Sequence, residues 1–199
     1  MVEGLLDEAG IALGAVHVIA FGSGPGSFTG LRIACGVAQG LAFARDLPIV
    51  GVTTLLALAE ASEGERVISC LDARMGEIYY AAYQREQGEW ICVHEPALCK
   101  PAEAPLVDGE GWIGVGSGFA VHGDILVGRF HGRMGAVRSD LHPSAREIAV
   151  LGARMHVQGF AVPPEEARPI YLRDRVALTV AERETLRAAR SGGSPAGRA

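Results

Sequence analysis

Lysine is almost absent from this 199-residue sequence, and acidic residues outnumber basic ones. Lys100 is the only lysine among 18 Lys and Arg residues, against 23 Asp and Glu residues, and the formal net charge is −5. Proteins that bind nucleic acid unaided usually present a basic face. The composition therefore argues against a stand-alone nucleic-acid-binding protein.

Long apolar runs are also missing. No stretch of the sequence approaches the ~20 apolar residues that a helix needs to span a bilayer. The amino-terminal residues lack the charged start and apolar centre of an export signal. We therefore expect a cytoplasmic protein with no membrane contact.

Spacings that would hold a metal are not found. The cysteines contain no C-x-x-C pair and the histidines no i,i+4 pair. The sequence therefore predicts reduced, buried thiols and no metal site. The residues concerned are Cys35, Cys70, Cys92 and Cys99, with His17, His94, His122, His131, His142 and His156.

The sequence also lacks the common motifs of nucleotide-binding proteins and serine hydrolases. No Lys-Ser/Thr pair follows the glycines of residues 22–30, which excludes a P-loop. Ser27 or Thr29 stands where a G-x-G-x-x-G motif needs its third glycine. There is no G-x-S-x-G elbow either, so the sequence offers no catalytic residue.

The chain does contain an apolar run over residues 15–21, which predicts a buried strand. A glycine-rich loop and the start of a helix follow this run. Free N–H groups and the helix dipole can hold an anion at such a junction. The alternative is a tight turn with Ser27 as its cap. The candidate anion-binding residues are Gly24, Gly26, Ser27, Thr29, Gly30 and Arg32.

The helix that follows, predicted over residues 29–45, is almost without charge. Gly36 and Gly40 share one face, and each mid-helix glycine costs ~1 kcal/mol relative to alanine. Close approach of another backbone would explain them, either in this chain's own sheet or in a partner's helix. The candidate interface residues are Ile33, Gly36, Val37, Gly40, Phe43 and Ala44.

The remaining patterns predict a βαβ unit and then a meander, hence a mixed sheet with flanking helices. Asp72 and Arg74 close one strand, where they could bind a ligand or form an ion pair in a solvated turn. Helices are predicted over residues 2–10, 53–62 and 143–157, strands over 49–52, 67–72, 77–85, 89–98 and 112–116, and a second glycine turn at 116–118.

Four stretches in this order resemble the TsaB (YeaZ) family, which is related to the TsaD (glycoprotease) group. They are GPGSFTGLR (24–32), residues 47–55, LDARMGEIY (71–79) and RPIYLR (168–173). Asp72, Arg74, Gly76 and Glu77 belong to the third stretch and form a second candidate site.

The resemblance implies an actin-like, ribonuclease-H-like α/β fold with two lobes of mixed sheets flanked by helices. The first lobe, residues 1–98, would be truncated, because the family begins with a β-hairpin and a further strand before the first helix here. Residues 99–178 would form a reduced second lobe. Residues 179–199 would form a charged, flexible tail, whose Arg183, Arg187 and Arg190 are a solvated face or a second contact.

The resemblance also implies a function. TsaB-like proteins are non-catalytic partners of TsaD in placing threonylcarbamoyl on adenosine of tRNAs that decode codons starting with A. The expected partners are a TsaD-type paralogue, a TsaE-type ATPase or a second copy of the chain, with tRNA reached only through the complex. ATP and a metal would be bound by the partner subunits, with no cofactor here. The alternatives are a nucleotide-binding phosphotransferase or ATPase of the actin-like fold and a glycoprotease-type peptidase.

Overall fold

The computed structural model describes residues 2–173, which form two β-sheets and their flanking helices. The helices are α1 Val2–Ala9, α2 Phe28–Phe43, α3 Thr54–Glu60, α4 Ser117–Arg129 and α5 Ala145–Val157. The strands are β1 Ile19–Gly24, β2 Ile49–Thr53, β3 Arg66–Arg74, β4 Glu77–Glu86, β5 Glu89–Cys99, β6 Trp112–Val115 and β7 Met134–Arg138. Short 3₁₀ turns lie at Leu13–Ala15, Pro101–Glu103 and Pro164–Glu166.

The two sheets differ in size and in strand direction. β1 and β2 form a parallel pair, in which Ile19 lies opposite Ile49. The larger sheet has the order β5-β4-β3-β6-β7, with antiparallel β3–β4–β5 and parallel β3–β6–β7. The predicted α/β class, with a mixed sheet flanked by helices, is confirmed.

Two helix starts carry side-chain caps, and the first of them is the Ser27 cap that the sequence predicts. The Ser27 hydroxyl accepts a hydrogen bond from the Gly30 amide at 3.4 Å, and α2 begins at the next residue. The Thr53 hydroxyl accepts from the Leu56 amide at 3.2 Å and opens α3. Each cap satisfies an amide that has no partner within its helix.

β1 lies later in the chain than predicted. Residues Leu13–Ala15 form a 3₁₀ turn, and the strand runs from Ile19 through two of the loop glycines to Gly24. Gly22 pairs with Val52 and Gly24 with Thr53. Pairing with β2 therefore overrides the weak strand propensity of glycine.

The helix α4 and the strand β7 were not predicted. The sequence indicated only a glycine turn at 116–118, but α4 begins there. A Cβ on Gly118 would lie 2.7 Å from the Cys70 Cβ, so glycine at this position allows α4 to pack closely on β3. The need for this glycine is set by a residue 48 positions away, and local patterns do not contain it.

The helix α3 joins the cores of the two sheets. Leu55 and Leu58 pack with Val67 of the larger sheet, and Ala57 packs with Val52 of the smaller one. α5, which lies within the helix predicted over residues 143–157, covers the smaller sheet with Ile148 and Leu151.

The predicted lobe boundary between residues 98 and 99 lies near the end of β5 and stays a prediction. Strands from both sides of it share the larger sheet. The predicted tail, with its three arginines, lies outside the described residues. The prediction of buried thiols is confirmed for Cys35 and Cys70, but Cys92 on the edge strand β5 is exposed and Cys99 is only half-buried.

Candidate partner-binding face and inter-sheet cleft

The inner side of α2 is fixed by packing within the chain. Leu31, Cys35, Ala38 and Ala42 are buried along one side of the helix. Three of them pack in one cluster with β1, the start of β2 and Ala167. The small side chains at positions 38 and 42 let the helix lie close to the parallel pair, so the orientation of its outer side is determined.

The outer side of α2 is apolar and exposed. Ile33, Val37 and Phe43 are 61%, 54% and 60% exposed. The large side chains of this side resemble those of an interface more than those of a solvated helix, since a surface helix normally turns polar residues outward. All six predicted interface residues lie here: Ile33, Gly36, Val37, Gly40, Phe43 and Ala44. We call this set the α2 face.

The glycines of the α2 face have no packing role within residues 2–173. A Cβ built on Gly36 or on Gly40 would meet no atom within 4 Å. A helix interior gains about 1 kcal/mol from alanine in place of glycine. The sequence leaves two explanations for these glycines. The structure does not support the first, close packing of Gly36 and Gly40 on the chain's own sheet.

Both margins of the α2 face are covered by other parts of the chain. On one side, residues of α1 and the following turn line a groove next to Leu41. On the other side, the Gln39 amide donates to the carbonyl oxygens of Pro164 and Ala167 at 2.9 and 3.4 Å. The exposed face is thus a bounded strip along the helix.

The glycine-rich loop leads into a cleft between the two sheets. Gly24 has φ +114°, and a Cβ there would lie 2.8 Å from the Ile170 carbonyl oxygen. The Ile170 amide also donates to the Ser23 carbonyl at 2.7 Å. The close approach that Gly24 permits is therefore used by the chain's own residues 168–173.

The other loop residues lie around the start of α2. Gly26 and Ser27 line the cleft, while Thr29 and Gly30 are exposed in the first turn. Arg32 lies one turn into the helix, also at the cleft. The structure thus places the six candidate anion-binding residues around one helix start, and anion binding there stays a prediction.

Three of the motifs quoted above meet in this cleft. Arg32 Nε donates to the Tyr171 hydroxyl at 2.9 Å. Arg173 donates to the Ala73 carbonyl at 3.0 Å and pairs with the Glu77 carboxylate at 2.7 Å. Residues 168–173 therefore tie the start of α2 to the β3–β4 hairpin, across a cavity of about 280 Å³.

The second candidate site forms the turn of that hairpin. Arg74, Met75 and Gly76 all have positive φ. Asp72 Oδ1 accepts from the Arg74 amide at 3.1 Å, and its other oxygen lies 3.6 Å from the Arg74 guanidinium. The two side chains orient each other across the turn. Glu77 begins β4 and holds Arg173.

Several residues in or next to the cleft were missed as site residues. Phe28, Tyr171 and Arg173 lie within the stretches that carry the resemblance, and this was the signal available for them. His122 Nε2 lies 3.7 Å from Asp72, but no pattern in the sequence marks this histidine.

The described residues contain neither a membrane-spanning helix nor a metal-ligand cluster. Within residues 2–173, no helix is both long enough and apolar enough to cross a bilayer. In that same part of the chain, no three His, Cys, Asp or Glu side chains come together as ligands for a metal ion.

Known proteins of similar sequence belong to one tRNA-modification group. Residues 1–117 match the family described as TsaD, tRNA N6-adenosine threonylcarbamoyltransferase. The chain is 38% identical over 186 residues to the tRNA threonylcarbamoyladenosine biosynthesis protein TsaB of Escherichia coli, covering 89% of this chain and 79% of the relative. It is 34% identical to TsaB of Haemophilus influenzae, covering 88% and 78%.

Solved structures agree with the sequence relatives. The structure of YeaZ from Pseudomonas aeruginosa superposes with a TM-score of 0.79 at 42% identity, covering 86% of this chain and 81% of that one. The two-sheet architecture is therefore the actin-like fold of the TsaD group. Within that group, the chain belongs to the TsaB (YeaZ) family.

Proposed function

We propose that this chain is a non-catalytic subunit in the biosynthesis of threonylcarbamoyladenosine in tRNAs that decode codons starting with A. It would act by pairing its α2 face with a TsaD-type paralogue. The relatives named TsaB support the pathway. The observation that carries the mechanism is the exposed α2 face, with two glycines that no atom of the described chain approaches.

The physical argument concerns helix packing. Two helices pack with their axes 8–10 Å apart, and the distance depends on the side chains at the contact. Gly36 and Gly40 lie one helical turn apart and leave a shallow groove in the middle of the face. Ile33, Val37 and Phe43 supply apolar area around this groove. This shape fits a second helix, whose apolar residues would be removed from water on binding.

A TsaD-type protein is a fitting occupant. The TsaD family match covers residues 1–117, which include both α1 and α2. A TsaD-type partner thus carries a related segment and can present a related helix. In this proposal a TsaE-type ATPase completes the complex, and the partner subunits bind ATP and metal. With a net charge of −5, the chain would meet tRNA only through that complex, in the cytoplasm.

The cleft supports a structural use of the glycine-rich loop. Gly24 accommodates the Ile170 carbonyl, and the Ser27 hydroxyl accepts a hydrogen bond from the Gly30 amide. Both contacts are made within the chain, so neither needs a nucleotide to explain it.

The test is the molar mass of the chain in solution, alone and mixed with the TsaD-type protein of its own genome. We expect the wild type to form a complex and Gly36→Leu and Gly40→Leu to abolish it, because leucine fills the space that the partner helix needs. Gly128→Leu is the matched control. Gly128 is also an exposed helical glycine with no atom near its Cβ position, but it lies on α4.

Thermal unfolding of each variant separates a lost interface from a lost fold. Both α2 variants should melt at or above the wild-type temperature, because a helix-favouring residue replaces glycine. Complexes formed by both variants would place the interface elsewhere. ATP turnover by the chain alone would instead favour the phosphotransferase hypothesis, and cleavage of a partner the peptidase hypothesis.

A further inference from the structure

The cavity beside residues 168–173 has the size and the lining of a small-molecule site. Its volume is about 280 Å³, and small-molecule sites usually have about 300–1,000 Å³, with mostly apolar walls and a few polar groups. The wall here consists mainly of side chains from the start of α2, from β4 and from residues 168–173. These side chains are Phe28, Leu31, Tyr79, Ile170, Tyr171 and Leu172. A cavity of this kind suits one small molecule with an aromatic ring.

The cavity also carries one positive charge without a counter-charge. Of the described residues that line it, only Arg32 and Arg173 are charged. The Arg173 guanidinium lies 2.7 Å from the Glu77 carboxylate, which balances its charge. Among residues 2–173, no carboxylate lies within ion-pair distance of Arg32, and its two terminal nitrogens have no hydrogen-bond acceptor. The Arg32 guanidinium is therefore available to an anion.

The Arg32 side chain is held in place by two aromatic residues. Its guanidinium carbon lies 3.8 Å from the centre of the Phe28 ring. Its Nε donates to the Tyr171 hydroxyl at 2.9 Å. These contacts fix the guanidinium and leave its two terminal nitrogens for a ligand. An arginine fixed in this way loses little side-chain entropy when it binds an anion.

We propose that this cavity binds a small aromatic monocarboxylate, whose carboxylate pairs with Arg32 and whose ring lies among the apolar side chains. A guanidinium presents a planar fork that matches a carboxylate with two parallel hydrogen bonds. The apolar wall removes the ring from water. The inference does not rest on the proposed function, because residues of this chain alone form the cavity.

The charges of the cleft favour a ligand with one negative charge over a nucleotide. In the adjoining part of the cleft, Asp72 and Arg74 line the wall together. Their side chains lie 3.6 Å apart, so the pair offers no further cation. Nucleotide phosphates are usually held by cationic groups together with Mg²⁺. A second negative charge buried beside Arg32 would have no counter-charge, which makes its desolvation costly.

The test is the binding of three naphthalene derivatives to the chain alone, followed by NMR titration of its backbone amides. We expect 2-naphthoate to bind with a Kd of about 1 mM or below, as its size suggests. The neutral 2-naphthamide has nearly the same shape and should bind about tenfold more weakly. The doubly charged 2-naphthyl phosphate should bind no more tightly than 2-naphthoate. The amides that shift should lie in residues 24–32 and 168–173.

Arg32→Gln separates the charge from the apolar wall. It removes the guanidinium, so Kd should rise on the order of tenfold for 2-naphthoate and stay unchanged for 2-naphthamide. Arg138→Gln is the matched control, because it removes the same charge from β7, where Arg138 pairs with Asp140 away from the cavity. Leu172→Ala removes part of the wall and should weaken both ligands alike. Amide spectra that otherwise match the wild type show that each variant is folded.

Wild-type affinity for 2-naphthoate in Arg32→Gln would overturn the inference. Equal affinities of the wild type for 2-naphthoate and 2-naphthamide would also overturn it. So would tighter binding of 2-naphthyl phosphate, or shifts confined to other parts of the chain. A chain that binds 2-naphthoate but forms no complex with the TsaD-type protein would contradict the proposed function and leave this inference intact.

Discussion

The Arg154 guanidinium lies 3.1 Å from a carboxylate oxygen of Glu60, which joins α5 to the end of α3. The other oxygen of Glu60 accepts from Arg85 at 2.7 Å and from the Trp90 indole at 2.6 Å. The Arg85 guanidinium also lies over the Trp90 ring. One carboxylate thus links the helix that covers the small sheet to two strands of the large one.

Removing this carboxylate should lower stability strongly. Glu60→Ala leaves two cations and an indole N–H without their acceptor in a largely buried place, and we expect a loss of about 2–4 kcal/mol in the free energy of unfolding. Urea denaturation measures it. Glu103→Ala, which removes an exposed partner of Lys100, is the control and should cost less than about 0.5 kcal/mol. Equal losses for the two variants would contradict a central role for Glu60.

Gly24 should tolerate alanine far less well than Gly26 does. At Gly24 an added Cβ meets the Ile170 carbonyl oxygen at 2.8 Å, and φ is +114°. At Gly26 an added Cβ would come no closer than 3.9 Å, to a Leu31 methyl. We expect Gly24→Ala to cost about 1–3 kcal/mol and Gly26→Ala to change stability little. Urea denaturation of both variants decides this. Comparable values would show that residues 168–173 do not depend on the close approach at Gly24.

Two mid-helix glycines should respond to alanine in opposite directions. Gly152 of α5 lies against β1, where an added Cβ would be 2.4 Å from the Ala20 Cβ. Gly152→Ala should therefore destabilise by about 1–3 kcal/mol through overpacking, despite alanine's better helix propensity. Gly36→Ala meets no atom and should stabilise the isolated chain by ~1 kcal/mol. Thermal melts check both signs, and a destabilising Gly36→Ala would mean that the chain itself packs against that position.

The exposed thiol of Cys92 should react slowly. Partial burial, and then the charge and hydrogen bond of Glu95, raise its pKa to about 11 from the usual 9.0. A raised pKa leaves less thiolate at a given pH, so alkylation at pH 7.5 should be about a hundredfold slower than for an unperturbed thiol. The rate, followed by mass spectrometry of the Cys92 peptide, should rise about tenfold per pH unit towards pH 11.

Glu95→Gln is the matched control for Cys92. Without the carboxylate charge the thiolate is less disfavoured, so this variant should react faster than the wild type at pH 7.5. A wild-type rate that already levels off near pH 9 would contradict the raised pKa.

Much of the fold could be predicted because its signals are local. Ser27 and Thr53 stand where a cap must stand, and the hairpin strands β3 to β5 have residues that favour strands. α4 could not be predicted in the same way, because Gly118 and Gly123 weaken its helical signal. Its position depends on Cys70, which is distant in the sequence and close in space.

The two parts of the candidate site also differ in how far the sequence predicts them. The α2 face could be predicted because its glycines and apolar residues recur with the helical period within a single element. The cleft could not, because Ile170 and Tyr171 reach the glycine loop and Arg32 from a segment about 140 residues away. No periodicity connects the two ends of such a contact.

The closure of the cleft by residues 168–173 has a consequence for biosynthesis. Its contacts join positions that are 139 residues apart for Arg32 and Tyr171, and 100 apart for Ala73 and Arg173. On the ribosome, both sheets are complete in sequence before this segment emerges, and the cleft cannot be closed until residue 173 has left the exit tunnel. Pairings of such long range raise the contact order and slow folding. Nascent chains should therefore pass through an interval in which both sheets can form and pack on α3 while the cleft is still open.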